Sequence, residues 1–325
     1  MDTEYVAHYI GSDKVGQSVE KHLLEVAELA RCFSGKIGLP SLGETEGLLH
    51  DLGKYANAFQ TYIKSAAGEL EPDAEPLEGG WLKGKVDHST AGAQLMWNTV
   101  KDRDGVSRLL AQIISLCVAS HHSGLIDCLS PDGEGKFLAR MAKELEQTHL
   151  EEVRITADRE IVSKFRKLVD SPELIEELKN LLKHALSGEP SRNVQEFYVG
   201  LLVRFLFSAL IDADRLSAAG RAEEVTKNPR DPEWNRLIEH LESHISGIPR
   251  NNWVDDIRAE VSSACREFAS RDKGLYKLTV PTGGGKTYSI AGGETSDNQS
   301  PQELQPGSEG ACQHHLIRPK VSGLK

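Results

Sequence analysis

Hydrophobic positions recur at helical spacing along the first 220 residues. In residues 17–34 they are Val19, Leu23, Val26, Ala30 and Phe33, one every three or four residues, which predicts a helix. The same periodicity predicts further helices at 44–64, 88–100, 104–120, 134–147, 157–168, 172–186 and 193–217. Residues 66–80 contain two prolines, three glycines and five acidic residues and predict a surface loop. Strand signals are nearly absent before residue 275, so the pattern favours a helical domain at 1–220.

The pattern changes in the last third of the chain. Residues 221–270 are predicted to form a helical connector, because the polar, proline-containing stretch 219–250 leaves room for a short helix at 233–246. Residues 271–290 contain YKLTVPTGGGKT, a β-branched run that enters a glycine turn and predicts one strand. Residues 291–325 have almost nothing to bury, and we expect a disordered tail.

Composition and charge narrow the class of protein. The chain is 39% hydrophobic and 27% charged, as is usual for globular proteins, and its net charge of −11 argues against a broad basic surface for duplex DNA. Five scattered cysteines without a C-x-x-C pair indicate reduced thiols and a cytoplasmic location. The N-terminus does not resemble a signal peptide. The apolar run 197–211 is shorter than a membrane span and contains Arg204, so it predicts a buried core helix and no membrane partner.

The stretch LLHDLGK, residues 48–54, places His50 directly before Asp51 inside an apolar run. An imidazole and a carboxylate lose hydration energy in a core unless other groups satisfy them. Two interpretations are open at this point. The pair is either hydrogen bonded at a helix end or part of a metal site, and a metal site needs further ligands.

Four other histidines lie at apolar helix faces or helix ends. His22 lies between Val19 and Val26 on the apolar face of the first predicted helix. His88 stands at a predicted helix start, where Ser89 and Thr90 are candidate caps. His121 and His122 follow an apolar helix that ends before Gly124. A lone core histidine is more often hydrogen bonded than a ligand, so each position is ambiguous alone.

A second carboxylate is expected from FSALIDADRLSAAG. Asp212 and Asp214 point about 200° apart on a helix, so at most one faces inward. The stripe Val203, Phe207 and Leu210 continues to Asp214, which predicts Asp214 as the ligand. Asp212 is the second choice.

Five histidines and two aspartates with these surroundings form a recognisable donor set. Imidazole and carboxylate together suit Mn, Fe, Co, Ni or Zn better than Ca or Mg, although Mg²⁺ stays a candidate. Seven ligands are too many for one tetrahedral ion and enough for two ions if one carboxylate bridges them.

The order H…HD-x-G-K…H…HH…D resembles the HD superfamily of metal-dependent phosphohydrolases. The segments HLLEVAELA, GLLHDLGKYANAFQ, DHSTAGA, SHHSGLID and LIDADRLS resemble the HD nuclease domain of the CRISPR-associated helicase-nuclease of type I interference systems. The similarity covers residues 1 to about 220. It implies an all-α HD domain with a dinuclear site that cuts single-stranded DNA. It also implies that an RNA-guided surveillance complex is the partner.

The resemblance assigns a role to each candidate. One metal would be held by His22, His50, Asp51 and Asp214, and Asp51 would bridge to a second metal held by His88, His121 and His122. Lys54 and Ser89 match positions that contact phosphate, with Lys54 expected on the same helix face as His50 and Asp51. The remaining histidines match no motif and are expected at the surface: His8, His149, His184, His240, His244, His314 and His315.

The segment VPTGGGKT, residues 280–287, resembles motif I of superfamily-two helicases. In that motif Gly283 and Gly285 shape a phosphate-binding turn, Lys286 reaches the phosphates of ATP and Thr287 binds Mg²⁺. The sequence then departs from the family, since GGETSDN replaces the expected helix. We therefore expect a helicase remnant with a vestigial ATP site and no motor activity.

Two other functions fit the same residues less well. An HD phosphohydrolase acting on nucleotides or cyclic dinucleotides would share the His–Asp core. An inactive remnant that only docks on the surveillance complex would not need a full ligand set.

Overall fold

The computed structural model of the protein describes residues 5–10, 15–67, 86–188, 191–223, 234–268 and 278–285. Its contacts divide the chain into two units, Met1–Pro229 and Arg230–Lys325. The seven candidate metal ligands all belong to the first unit. The boundaries at 220 and 270 stay predictions.

The first unit consists of a short hairpin followed by helices. Strands β1 (Val6–Ile10) and β2 (Val15–Ser18) pair antiparallel, with Val6 opposite Ser18. The helices are α1 (Val19–Gly35), α2 (Pro40–Leu49), α3 (Asn57–Ala67), α4 (Thr90–Val100), α5 (Gly105–Ser120), α6 (Lys136–Met141), α7 (Leu150–Thr156), α8 (Arg159–Asp170), α9 (Pro172–Ala185) and α10 (Arg192–Ala218). A 3-10 turn, Leu52–Tyr55, lies between α2 and α3. The predicted all-α class is confirmed.

Helices α1 and α2 pack with their backbones unusually close together. Small residues on both helices allow this approach, since a Cβ on Gly47 would lie 2.5 Å from the Cα of Ala27. Ser18 caps α1 by accepting a hydrogen bond from the Lys21 amide at 3.3 Å. Val26 on the predicted apolar face is fully buried. This close pair supports the two ends from which His22 and His50 project.

Helices α5 and α10 complete the core behind the candidate site. Asp104 caps α5 by accepting from the Ser107 amide at 2.7 Å. Of the described residues, α10 is the one helix long and apolar enough to cross a membrane by length and composition, which is weak evidence for a span. Leu206 and Leu210 are fully buried, but Phe197 is 65% exposed and Leu201 is 52% exposed. The prediction that 197–211 is a buried core helix was therefore wrong for its N-terminal half, and core packing accounts only for the C-terminal half.

Two predicted helices had wrong boundaries, and one helix and one hairpin were missed. The helix predicted at 44–64 is broken into α2, the 3-10 turn and α3. The helix predicted at 134–147 is only the short α6, and α7 was missed. The β1–β2 hairpin was also missed, although few strands were expected before residue 275. Tertiary contacts around residues 50–56 interrupt a periodicity that by itself would continue a helix.

The second unit contains α11 (Trp234–Ser246) and α12 (Trp253–Phe268), together with the described segment 278–285. Residues 278–280 are not in a strand, contrary to the prediction for this stretch. Gly283 and Gly285 have φ angles of 82° and 81°, which favour glycine. The side chain of Arg258 donates from Nε to the carbonyl oxygen of Gly283 at 2.7 Å. Lys286, Thr287, His314, His315, the expected tail and most of the 66–80 loop lie outside the described residues.

Candidate metal centre

The structure brings all seven candidate ligands together in two groups. The first group is His22, His50, Asp51 and Asp214, and the second is Asp51, His88, His121 and His122. In each group, one ligand atom per residue lies within 4.8 Å of the ligand atoms of the others. Asp51 belongs to both groups.

Asp51 lies in the break between α2 and the 3-10 turn, with φ −115° and ψ 22°. Its two carboxylate oxygens face different groups. Oδ2 is 3.3 Å from the Nε2 atoms of both His22 and His50, whereas Oδ1 is 3.2 Å from Nε2 of His121. Oδ1 is also 3.6 Å from Nε2 of His88 and of His122. One carboxylate therefore presents one oxygen to each group, an arrangement that suits a bridging ligand.

The first group is held by α1, the end of α2 and α10. Oδ1 of Asp214 is 3.4 Å from Nε2 of His22 and 3.6 Å from Nε2 of His50. His22 Nδ1 lies 3.0 Å from Ser217 Oγ, which donates to Glu25 at 2.8 Å. This chain of contacts from a carboxylate through a hydroxyl fixes the orientation of the His22 ring.

The other histidines are oriented by backbone carbonyl groups. Nδ1 of His50 lies 2.8 Å from the oxygen of Gly47, and Nδ1 of His121 lies 2.7 Å from the oxygen of Val118. Nδ1 of His88 lies 3.0 Å from the backbone carbonyl oxygen of Val86. A neutral imidazole that donates through Nδ1 keeps a free lone pair on Nε2, the atom that points into the centre. These side chains are therefore arranged as nitrogen ligands, and the donor set fits a pair of transition-metal ions.

The electrostatics of the first group favour the charged forms of Asp51, Asp214 and His50. Burial would raise the pKa of Asp51, but the cations of Lys54 and His50 hold it well below its ordinary value. Burial would likewise raise the pKa of Asp214, and hydrogen bonds from His22 and His50 lower it instead. Although burial opposes its charge, the two carboxylates raise the pKa of His50 to about 10 while no cation is bound, so a metal ion would have to displace the Nε2 proton of His50. Anionic oxygens at this position attract a cation.

The second group has different surroundings. Burial lowers the pKa of His88 to about 4, and burial also lowers the pKa of His121. Both imidazoles are consequently neutral near pH 7, as metal ligation requires. The two groups also differ in access, because the His22 and His50 side chains are fully buried whereas the His122 side chain is 48% exposed.

The structure places Lys54 and Ser89 differently from the sequence-based prediction. Lys54 is in the 3-10 turn instead of on a helix shared with His50, and its Nζ forms a 2.6 Å ion pair with Oδ2 of Asp51. Ser89 does not cap α4, since Asp87 accepts from the Thr90 amide at 3.1 Å. The Ser89 hydroxyl instead accepts from Arg140.

The two aspartates of α10 are separated as the helix geometry requires. Asp214 is at the first group, whereas Asp212 is exposed and lines a surface hollow with Phe33 and Arg215. It remains a prediction that Asp214 is a metal ligand and that Asp212 is not.

His8 was expected at the surface, and this expectation was wrong. Its ring on β1 packs edge to face against His22, with the ring centroids 4.9 Å apart. Its Nε2 is buried and has no hydrogen-bond partner among the described residues. Burial, and secondarily the charge of His22, lowers its pKa to about 4. A single histidine in a short unpredicted strand gave no sequence signal of this position.

A family model described as "Cas3, HD domain" matches residues 1–203. The matched segment contains six of the seven candidate ligands, and Asp214 follows it. The comparison with curated proteins gave no match.

Proposed function

Because the chain belongs to the Cas3 HD-domain family, whose members are metal-dependent nucleases, we propose that it cuts single-stranded DNA with two bound transition-metal ions. Family membership makes it a metal-dependent phosphodiester hydrolase. The observation that carries the proposal of two ions is the position of Asp51, with one carboxylate oxygen in each group of histidines. A structural His–Asp hydrogen bond would need only one of those groups.

The proposed ligand assignment follows the two groups. His22, His50, Asp51 and Asp214 would hold one ion. His88, His121 and His122, with the second oxygen of Asp51, would hold the other. Mn, Fe, Co and Ni suit this mixture of nitrogen and oxygen donors best, and Mg²⁺ suits it less.

The side chains of this chain prepare the site for a negatively charged substrate. Two ions of this kind, when bound, activate water and neutralise charge on a phosphodiester. Lys54 carries a cation at the edge of the same centre, and we propose that it also contacts the phosphate. Ser89, held by Arg140, is the second proposed phosphate contact. No side-chain nucleophile is required, because the attacking group is water.

The preference for single strands rests on charge. A protein with a net charge of −11 lacks the broad basic surface that holds duplex DNA through many phosphates. A single strand needs fewer contacts, provided that the metal centre itself binds the phosphate at the cutting point. We further propose that the protein acts in type I CRISPR interference in the cytoplasm and meets an RNA-guided surveillance complex.

The test combines metal analysis with a cleavage assay on one sample. Protein reconstituted with Mn²⁺ should contain two ions per chain by mass spectrometry and cut a single-stranded oligonucleotide far faster than its duplex. The Asp51→Asn variant should lose both properties, and Asp212→Asn is the matched control because it removes the same charge from an exposed site. One ion per chain would contradict the dinuclear assignment. If the protein hydrolyses a cyclic dinucleotide faster than DNA, the proposed DNA substrate is wrong and the cyclic dinucleotide takes its place.

A further inference from the structure

A cationic cleft lies between the end of α7 and the outer face of α8, away from the ligand side chains. It measures about 640 Å³. Four cations and one acid line it: Arg154, Arg159, Arg166, Lys167 and Asp170. This excess of positive charge is unusual for a chain whose net charge is −11.

Three of these cations have no anionic partner within the described part of the chain. Arg154 Nη1 pairs with Glu151 at 2.8 Å, but no described carboxylate lies within ion-pair distance of Arg159, Arg166 or Lys167. All three are exposed. Their charges are thus available to an external anion.

Helix stability accounts for only part of this charge. Lys167 lies in the last turn of α8, where the helix dipole favours a cation. Arg159 is the first residue of α8, where the dipole disfavours one. Its position is explained better by a ligand than by the helix.

Apolar side chains line the cleft together with the cations. Ile155 is 85% exposed, which is high for a large hydrophobic residue, and Val162 is also in the lining. Cations together with exposed apolar surface match a single-stranded nucleic acid, whose phosphates bind cations and whose unpaired bases cover apolar surface. An acidic protein segment would pair with the cations but would not need the apolar surface.

The cleft is connected to the metal centre through the turn that follows Asp51. The hydroxyl of Tyr55, the last residue of this 3-10 turn, donates to Asp158 at 2.6 Å, and Thr156 donates to the Tyr55 carbonyl oxygen at 3.1 Å. Asp158 and Thr156 flank the α7–α8 junction. The cleft wall and the bridging carboxylate are therefore anchored to the same short segment.

We propose that the α7–α8 cleft binds the backbone of single-stranded DNA outside the metal centre. The proposal rests on the proposed function for the identity of the polymer. It assigns phosphate binding to Arg159, Arg166 and Lys167 and base contact to Ile155.

The test measures binding of a fluorescent single-stranded oligonucleotide by the full chain in EDTA, where no cutting occurs. The double variant Arg159→Gln/Arg166→Gln should bind about tenfold more weakly at low salt. On a single strand each phosphate contact contributes about 0.7 to the slope of log affinity against log salt, so the slope should fall by about 1.4. The control Lys36→Gln/Lys183→Gln removes the same charge from exposed positions outside the cleft and should bind as the wild type does.

The outcomes separate this proposal from the proposed function. If the two double variants bind the oligonucleotide with equal affinity and equal salt dependence, the cleft is not the DNA-binding site. This conclusion does not depend on which substrate the wild type cuts. If the cleft binds DNA but the Mn²⁺-loaded wild type does not cut it, the proposed DNA-binding site is supported and the proposed nuclease activity is wrong. If a polyglutamate peptide competes as well as the oligonucleotide, the partner is an acidic protein and the DNA assignment is wrong. Thermal unfolding of both variants checks that each is folded.

Discussion

Glu46 on α2 is a fully buried carboxyl group whose two oxygens lack a hydrogen-bond partner among the described residues. Burial raises its pKa from an ordinary value of 4.5 to about 8, and the nearby Cys117 thiol offsets only part of this rise. The group is thus protonated in the folded protein near neutral pH.

The sign of the pH effect follows from the raised pKa. Between about pH 4.5 and 8 the folded protein keeps the Glu46 proton and the unfolded chain releases it. The free energy of unfolding should therefore fall as the pH rises through this window, by up to about 1.4 kcal/mol for each pH unit. Across the whole window the effect is about 5 kcal/mol.

The test variant is Glu46→Gln, because glutamine keeps the shape of the glutamate side chain and does not titrate. Urea unfolding in EDTA, followed by circular dichroism at four pH values from 5 to 8, gives the difference in unfolding free energy between variant and wild type. This difference should move in favour of the variant by about 1.4 kcal/mol for each pH unit. Other titrating groups cancel, because both proteins contain them.

Glu28→Gln is the matched control, since it makes the same change at an exposed position of α1. The difference in unfolding free energy between Glu28→Gln and wild type should not change with pH. A flat difference for Glu46→Gln over the same range would refute the reasoning, and would mean that Glu46 is ionised and partnered in the folded protein.

Three further predictions concern the centre. Replacing Asp51 with alanine should release both metal ions, measured by mass spectrometry, and reduce cleavage of single-stranded DNA by at least about a hundredfold. Asp214→Ala should lose metal and activity while Asp212→Ala keeps both, and the reverse result would show that the helix-face argument failed. Gly53→Ala should lower metal affinity without unfolding the protein, because a Cβ there would overlap the backbone of His88 and displace it. Calorimetric titration with Mn²⁺ measures the affinity. A variant that binds Mn²⁺ as tightly as the wild type would contradict the expected displacement of His88.

Much of the helical framework could be predicted because its apolar periodicity is regular. The stripe that ends at Asp214 lies on one continuous helix, α10, so residue spacing alone placed this side chain inward. The same regularity misled the prediction at 44–64. There the chain leaves the helical path at Asp51, whose carboxylate contacts side chains from α1, α5 and the loop before α4. Such long-range contacts leave no local trace in the sequence.

The hairpin and His8 could not be predicted for a related reason. Two strands of four or five residues are marginal by themselves and depend on other elements for stability. The Val6 amide donates to Gln60 on α3 at 3.0 Å, across 54 residues of sequence. Only this packing turns His8 toward His22, so the neighbour of the first ligand group is evident from the structure alone.

The unequal exposure of the two ligand groups has a kinetic consequence. His22 and His50 are closed off from solvent, whereas the half-exposed His122 is open to it. Ions held by the two groups should therefore exchange with the solution at different rates. A chelator should remove the ion held by the half-exposed His122 quickly and the ion held by His22 and His50 more slowly. The protein would then release its metal in two phases, with a singly loaded species persisting between them.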